Sequence, residues 1–151
     1  MNIEEFSQKI IELLPQVSRG FAHYAHDYLT KGEITLPQFW VLNYLYCKKK
    51  AKMGELAQFL RTARPAITGL VDRLITQKLV IRKDDPLDRR IVWIELTPQG
   101  RNVIQGIRAQ KIKALVKIFA KVSSDDRSRY IGMLENVVKI INLPEEQEGK
   151  K

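Results

Sequence analysis

Met53 to Leu96 carries the feature that most limits what this chain can become. Within it, the run Arg64-Pro65-Ala66-Ile67-Thr68-Gly69-Leu70-Val71-Asp72-Arg73-Leu74-Ile75-Thr76-Gln77-Lys78 places Ile67, Leu70, Val71 and Leu74 at i, i+3, i+4 and i+7. That spacing makes one apolar stripe on a short amphipathic helix. Pro65 stands near the start, where its fixed φ suits a first helical turn and its missing N–H leaves no bond unmade. The opposite face carries Arg64, Thr68, Gly69, Asp72 and Arg73, mostly small or basic. Such a helix rests on a core and turns its N-terminal half toward something anionic.

The flanks narrow the reading. Met53 to Leu60 predicts a second short helix with Leu56, Phe59 and Leu60 inward, and only Arg61-Thr62-Ala63 separates the two, the turn length of a helix-turn-helix. Downstream, Leu79–Lys83 and Ile91–Leu96 are β-rich, joined by the charged loop Asp84-Asp85-Pro86-Leu87-Asp88-Arg89-Arg90. Helix, turn, helix and basic hairpin predict a winged helix-turn-helix over residues 35–98, in a fold that is mainly α with a small β wing.

Charge agrees. The 151 residues carry net +9, but residues 48–90 alone hold 12 basic and 5 acidic groups, most of the excess. A positive field focused on the winged unit implies a polyanion, double-stranded DNA, as the partner. Arg64, Thr68 and Arg73 are the candidate base or phosphate contacts, since Arg bidentate to guanine is the commonest specific contact. Pro65, Ala66 and Gly69 complete the helix surface. Arg61 and Thr62 in the turn suit phosphates, and Arg82, Lys83, Arg89 and Arg90 form the wing. The plainer alternative for Arg73 is a solvated helix charge, and for Lys48-Lys49-Lys50 a solvated helix end.

At the N-terminus, residues 3–30 read as helix, with Pro15 kinking or restarting it and Gly32 closing it. Thr35 is the expected N-cap of a helix carrying Phe39, Trp40, Leu42, Leu45 and Tyr46. A long helix follows the wing, Arg101 to Lys121, and Ser124-Asp125-Asp126 signals the cap of a last one, Arg127 to Asn142. Residues 1–30 and 101–143 carry more apolar surface than a small winged unit can cover, so a homodimer built on these helices is expected. The whole chain, 1–151, reads as a single domain.

The run from Leu70 to Gly100, Leu-Val-Asp-Arg-Leu-Ile-Thr-Gln-Lys-Leu-Val through the Asp- and Arg-rich wing to Leu96-Thr97-Pro98-Gln99-Gly100, resembles the multiple antibiotic resistance regulator (MarR) family. Outside the winged unit the match is one of helix layout. The resemblance implies a dimer made by the first and last two helices and an inverted-repeat operator. It also implies a short strand near residues 51–53, and a wing Arg entering the minor groove while acidic neighbours brace the loop. Asp88 and Asp72 are the expected braces, one of them pairing with Arg89 or Arg90. The chain departs from relatives at Lys78, where many carry Gly: Lys78 takes a left-handed conformation or the helix exits differently. Gly69 stands where relatives often carry a longer polar side chain.

The resemblance further implies a repressor released by a small aromatic or phenolic effector, with Tyr24, Tyr28, Phe39 and Trp40 lining the pocket; from the residues alone these four read as core. His23 and His26, three apart, would make a zinc set with Cys47 or Glu33, but ordinary packing is the reading preferred, with no metal or cofactor. Cys47, the lone cysteine, reads as an inert small hydrophobe rather than a redox sensor, and as a sign of a reducing compartment. Neither a signal peptide nor a membrane span is predicted, so a cytoplasmic location is expected. A Gly-rich phosphate loop, His-Glu-x-x-His and a nucleophile elbow are missing, so no enzyme is expected. A non-specific DNA-packaging protein or a protein-interaction module is the alternative.

Overall fold

The computed structural model describes residues 1–24 and 33–143. Its elements in order are α1 (Ile3–Tyr24), α2 (Leu36–Lys48), β1 (Lys50–Ala51), α3 (Met53–Phe59), α4 (Arg64–Thr76), β2 (Val80–Asp84), β3 (Val92–Leu96), α5 (Pro98–Phe119) and α6 (Ser124–Ile141). The chain is mainly helical with one small antiparallel sheet of order β1-β3-β2, the winged helix-turn-helix arrangement. Two compact units divide it, Met1–Ile112 and Lys113–Lys151.

In the first unit the core lies where the apolar periodicities meet. Val41, Leu42 and Leu45 of α2, Leu56 of α3, Ile67, Val71 and Leu74 of α4, and Ile104 of α5 are fully buried with Val80 and Ile94 of the hairpin. Each such side chain contributes about 1.5–3 kcal/mol of burial. Thr35 caps α2 as expected, in a reciprocal box: its hydroxyl accepts from the Gln38 N–H, and the Gln38 side chain accepts from the Thr35 N–H at 2.9 Å. The Gln38 side-chain amide, buried, also donates to the side-chain oxygen Oε1 of Gln77 at 3.1 Å, tying the start of α2 to the end of α4.

Several boundaries differ from expectation. α1 runs through Pro15 without a break; the Ile11 carbonyl that loses its N–H donor lies on an exposed stretch, open to solvent. The expected stop at Gly32 lies outside the described residues. Phe59 is not inward: it is 47% exposed and stacks on Tyr44, with ring centroids 4.6 Å apart, while Ala57 takes the buried place. β1 sits at Lys50–Ala51 rather than 51–53, paired with β3 through Lys50↔Glu95 and Ala51↔Ile94. α5 starts at Pro98 rather than Arg101, because the Thr97 hydroxyl accepts from the Gly100 N–H at 2.9 Å and caps it. In the second unit α6 starts at Ser124, and its cap is Ser123, whose hydroxyl accepts from the Asp126 N–H at 3.1 Å.

The end of α4 answers the question left at Lys78. Lys78 adopts φ 59°, its N–H donates to the Ile75 carbonyl at 2.8 Å, and the Leu79 N–H reaches back to Leu74 at 2.9 Å. This is a Schellman exit with a lysine at the left-handed position. The same pair of bonds ends α3, with Arg61 at φ 48°. The closing Leu-Thr-x-x-Gly locks onto the α4 exit: the Thr97 N–H donates to the Leu79 carbonyl at 3.0 Å and its hydroxyl to the Lys78 carbonyl at 2.6 Å. A Cβ on Gly100 would stand 1.9 Å from the Leu79 oxygen, so only glycine fits there.

α1 and α6 differ from this core. On α1, Ile3, Phe6, Ile10, Leu13, Leu14 and Val17 are exposed. In the second unit Arg127 donates to the Phe119 and Val122 carbonyls, and the Phe119 and Tyr130 rings sit 5.6 Å apart, but α6 buries no residue. Among the described residues no helix is long and apolar enough to cross a membrane.

Candidate nucleic-acid interface

The turn and the start of α4 expose backbone as well as side chains. Ala63 is the N-cap and supplies no side-chain cap, Pro65 follows, and no acidic residue occupies the first turn. Pro65 has no N–H and the Ala66 N–H turns back to the Ala63 carbonyl at 3.1 Å, so the Arg64 amide is the one first-turn donor left to solvent or to an anion. Arg64, Pro65, Ala66, Thr68 and Arg73 are exposed along this face and Gly69 is half-buried. The Thr68 hydroxyl donates to the Arg64 carbonyl at 2.9 Å and Arg73 Nε to the Gly69 carbonyl at 3.3 Å, so both side chains lie close along the helix. A Cβ built on Gly69 would meet nothing within 4 Å, so the place is open. Arg61 is exposed in the turn, and Thr62, half-buried, gives its N–H to the Ala57 carbonyl at 3.0 Å.

In the wing, the two arginines part company. Asp88 holds Arg90 with both carboxylate oxygens: Oδ1 accepts from the Arg90 N–H and Nε, each at 3.0 Å, and Oδ2 from Nη2 at 3.1 Å. Arg89 is exposed and makes no ion pair or hydrogen bond among the described residues. Asp72 pairs instead with Arg82, at 2.7 Å, which ties β2 to the exposed side of α4. Lys83 lies 3.7 Å from Glu95 on the neighbouring strand.

Two wing residues carry roles that the sequence reading missed. Asp85 Oδ1 accepts from the Leu87 and Asp88 N–H groups at 2.9 and 3.2 Å, while its Oδ2 accepts from the Trp93 indole N–H at 2.8 Å. Above the Trp93 ring stand the ammonium groups of Lys50 and Lys52, 4.1 and 5.2 Å from its centroid. The available signal was an Asp-Pro turn facing a strand tryptophan. These bonds set the charge states: the Trp93 N–H, then the Leu87 amide, holds the Asp85 carboxyl below its usual range. Arg90 does the same to Asp88 and is itself raised by that carboxylate.

The expected effector residues are only partly described. Phe39 is half-buried with the Lys111 ammonium 4.8 Å from its ring centroid, and burial lowers the Lys111 pKa. Trp40 is 43% exposed. The side chains of Tyr24 and His23, and all of Tyr28 and His26, lie outside the described residues. Cys47 is exposed, with Arg108 Nη1 at 4.0 Å from its sulfur, and no group of three metal-ligating side chains gathers among the described residues.

Residues 33–91 match the model of the MarR family. The chain is 31% identical over 127 residues to the uncharacterised HTH-type transcriptional regulator YsmB of Bacillus subtilis, covering 80% of this chain and 87% of that one. A MarR family protein of Bacillus stearothermophilus has a similar structure, with a TM-score of 0.77 and 25% identity over 93% of this chain and 98% of the other. The fold is also that of a Staphylococcus aureus MepR mutant bound to an oligodeoxyribonucleotide, TM-score 0.63 at 21% identity, covering 86% of this chain and 96% of that one. With a basic helix-turn-helix, an Arg-bearing wing and these relatives, the chain belongs to the MarR family of DNA-binding transcriptional regulators.

Proposed function

We propose that the protein is a cytoplasmic, homodimeric repressor that reads an inverted-repeat operator and leaves it when a small aromatic or phenolic ligand binds. What carries this reading is the presence in one chain of two unlike exposed surfaces. One is basic, formed by the uncapped start of α4 and the wing. The other is apolar and lies on each unit separately: Phe6, Ile10 and Leu13 are exposed on α1, and Leu134, Val137 and Val138 on α6. An interface between copies built from residues of 1–30 and 101–143 covers the second surface and duplicates the first.

In the dimer, each α4 enters a major groove, with the two half-sites about one helical turn, ~34 Å, apart. Arg64 and Thr68 reach base edges or phosphates; Arg73 holds a neighbouring phosphate; Pro65, Ala66 and Gly69 let the backbone approach. Arg61 and Thr62 meet phosphate from the turn. Arg89 enters the flanking minor groove, where a narrow A·T-rich tract concentrates negative potential. Arg90 and Asp88 hold the loop, and Arg82 and Lys83 line its stem. Phe39 and Trp40, with Tyr24 and Tyr28, supply the effector pocket. The Lys111 ammonium beside Phe39 suits a ligand that brings a phenolate or carboxylate on an aromatic ring.

Selection of bound fragments from genomic DNA tests this. The expected result is one shared inverted repeat; recovery of fragments with no common motif would instead establish a packaging protein. Genes beside the recovered sites then point to the ligand.

A further inference from the structure

We propose that Trp93 is a positioning residue for DNA binding, fixing through its indole N–H the loop conformation that presents Arg89. This rests on the reading that Arg89 of the wing meets DNA. The chain of bonds is continuous. Trp93 lies in β3, paired in register with Lys83, and its N–H donates to Asp85 Oδ2 at 2.8 Å. The other oxygen of Asp85 accepts from the Leu87 and Asp88 amides at 2.9 and 3.2 Å and so shapes the turn that leads to Asp88. The loop is closed by two backbone bonds of 2.9 Å, Asp85 N–H to the Ile91 carbonyl and Ile91 N–H to the Asp88 carbonyl. Asp88, placed by that turn, clamps both the backbone and the guanidinium of Arg90. Every polar side chain between Asp85 and Arg90 is thereby occupied except Arg89.

A loop held this way carries the free Arg89 side chain on a backbone that is already ordered, so less backbone entropy is lost when DNA arrives. The indole serves in two ways at once. Its face supports Lys50 and Lys52 from the β1 side, while its edge donates to the loop. Phenylalanine would keep the face and remove the donor. Asp85 would then lose one anchor and the turn before Asp88 would loosen, although the fold beneath, centred on Ile94 and Val80, would be untouched.

The test measures binding of the full chain to an A·T-rich duplex of about 30 base pairs, by fluorescence anisotropy across a salt series. The variants are Trp93→Phe, Arg89→Ala and the two combined. Arg89→Ala is expected to weaken binding and to reduce the salt slope by about 0.9 for each phosphate charge no longer neutralised. Trp93→Phe is expected to weaken binding about threefold to tenfold, and to have no further effect in the Arg89→Ala background, because coupled residues are not additive. Asp85→Asn breaks the same bond from its other end, keeps an acceptor for the Leu87 and Asp88 amides, and is expected to match Trp93→Phe; it carries the test if Trp93→Phe folds poorly. Normal binding by both Trp93→Phe and Asp85→Asn, with Arg89→Ala weakened, would overturn the role of Trp93 alone. So would a Trp93→Phe loss that persists undiminished without Arg89. Normal binding by Arg89→Ala would overturn the reading of the wing on which the proposal stands.

Discussion

The winged unit and the terminal helices are both rich in apolar side chains, but only one of them spends that surface internally. In the unit, Leu45, Leu56, Ile67, Leu74 and Ile94 are removed from water completely, and Gln38 is buried with its amide satisfied at both ends. On α1 and α6 the same residue types recur with helical spacing and stay exposed, from 38% at Phe6 to 75% at Ile3. The difference teaches that periodicity reports which face of a helix is apolar and says nothing about what covers it. A face as long as that of α6, left open, is the mark of an interaction surface. The winged unit covers its own apolar faces, whereas the apolar faces of α1 and α6 stay open to solvent.

The comparison is sharpened first at its firmest point. Gly100→Ala forces a methyl group against the Leu79 carbonyl, part of the α4 exit, and is expected to cost about 3 kcal/mol or more in urea unfolding, since neither backbone can retreat cheaply. Next, Ile67→Ala should cost about 2–5 kcal/mol through the cavity left under α4, the same at every protein concentration. Leu134→Ala on α6 should show the opposite pattern: a loss of roughly 1–2 kcal/mol that depends on concentration, because the side chain is buried only by a second copy. A concentration-independent loss at Leu134 equal to that at Ile67 would erase the distinction between the two regions.

Smaller effects probe the joints. Lys78→Gly relieves a left-handed lysine and should raise stability by about 1 kcal/mol, visible as a higher urea midpoint with an unchanged slope. The smallest effect is on pH. Asp85 and Asp88 have folded pKa values below the ordinary 3.8, so their contribution to the wing is present above that value and is lost as pH falls through the lowered ones. The Trp93 indole N–H resonance should therefore hold its position from neutral pH down to about pH 4, and move only below it. A shift centred near pH 6 would mean that these carboxylates do not hold the wing.

Much of the winged unit was legible because its signals are local. The stripe Ile67, Leu70, Val71, Leu74 fixed α4, although Leu70 turned out only half-buried, and Thr35 announced α2 through its own cap. What stayed hidden depended on contacts across the fold or on conformations that the residue type disguises. Lys78 and Arg61 occupy left-handed positions usually marked by glycine, so neither helix end carried its customary signal. Phe59 was misplaced because a helix as short as Met53–Phe59 gives too few positions to define a face. Arg89 and Arg90 are indistinguishable by type; the choice between them is made by Asp88, which stands two residues before Arg90 and so reaches its amide and its guanidinium together. The Trp93–Asp85 bond spans strand and loop, and the Asp-Pro turn that hints at it does not say which strand side chain reaches back to it.

On the proposed reading, the exposed faces of α1 and α6 pair two winged units. Sedimentation velocity at micromolar concentration, run on the unaltered chain and on Leu134→Glu/Val137→Glu, tests it most directly. The unaltered chain is expected to sediment at twice 17.5 kDa, and the variant at 17.5 kDa with its helical content and the fold of its winged unit retained. A single 17.5 kDa species for the unaltered chain, or a dimer that survives both charges, would contradict the account.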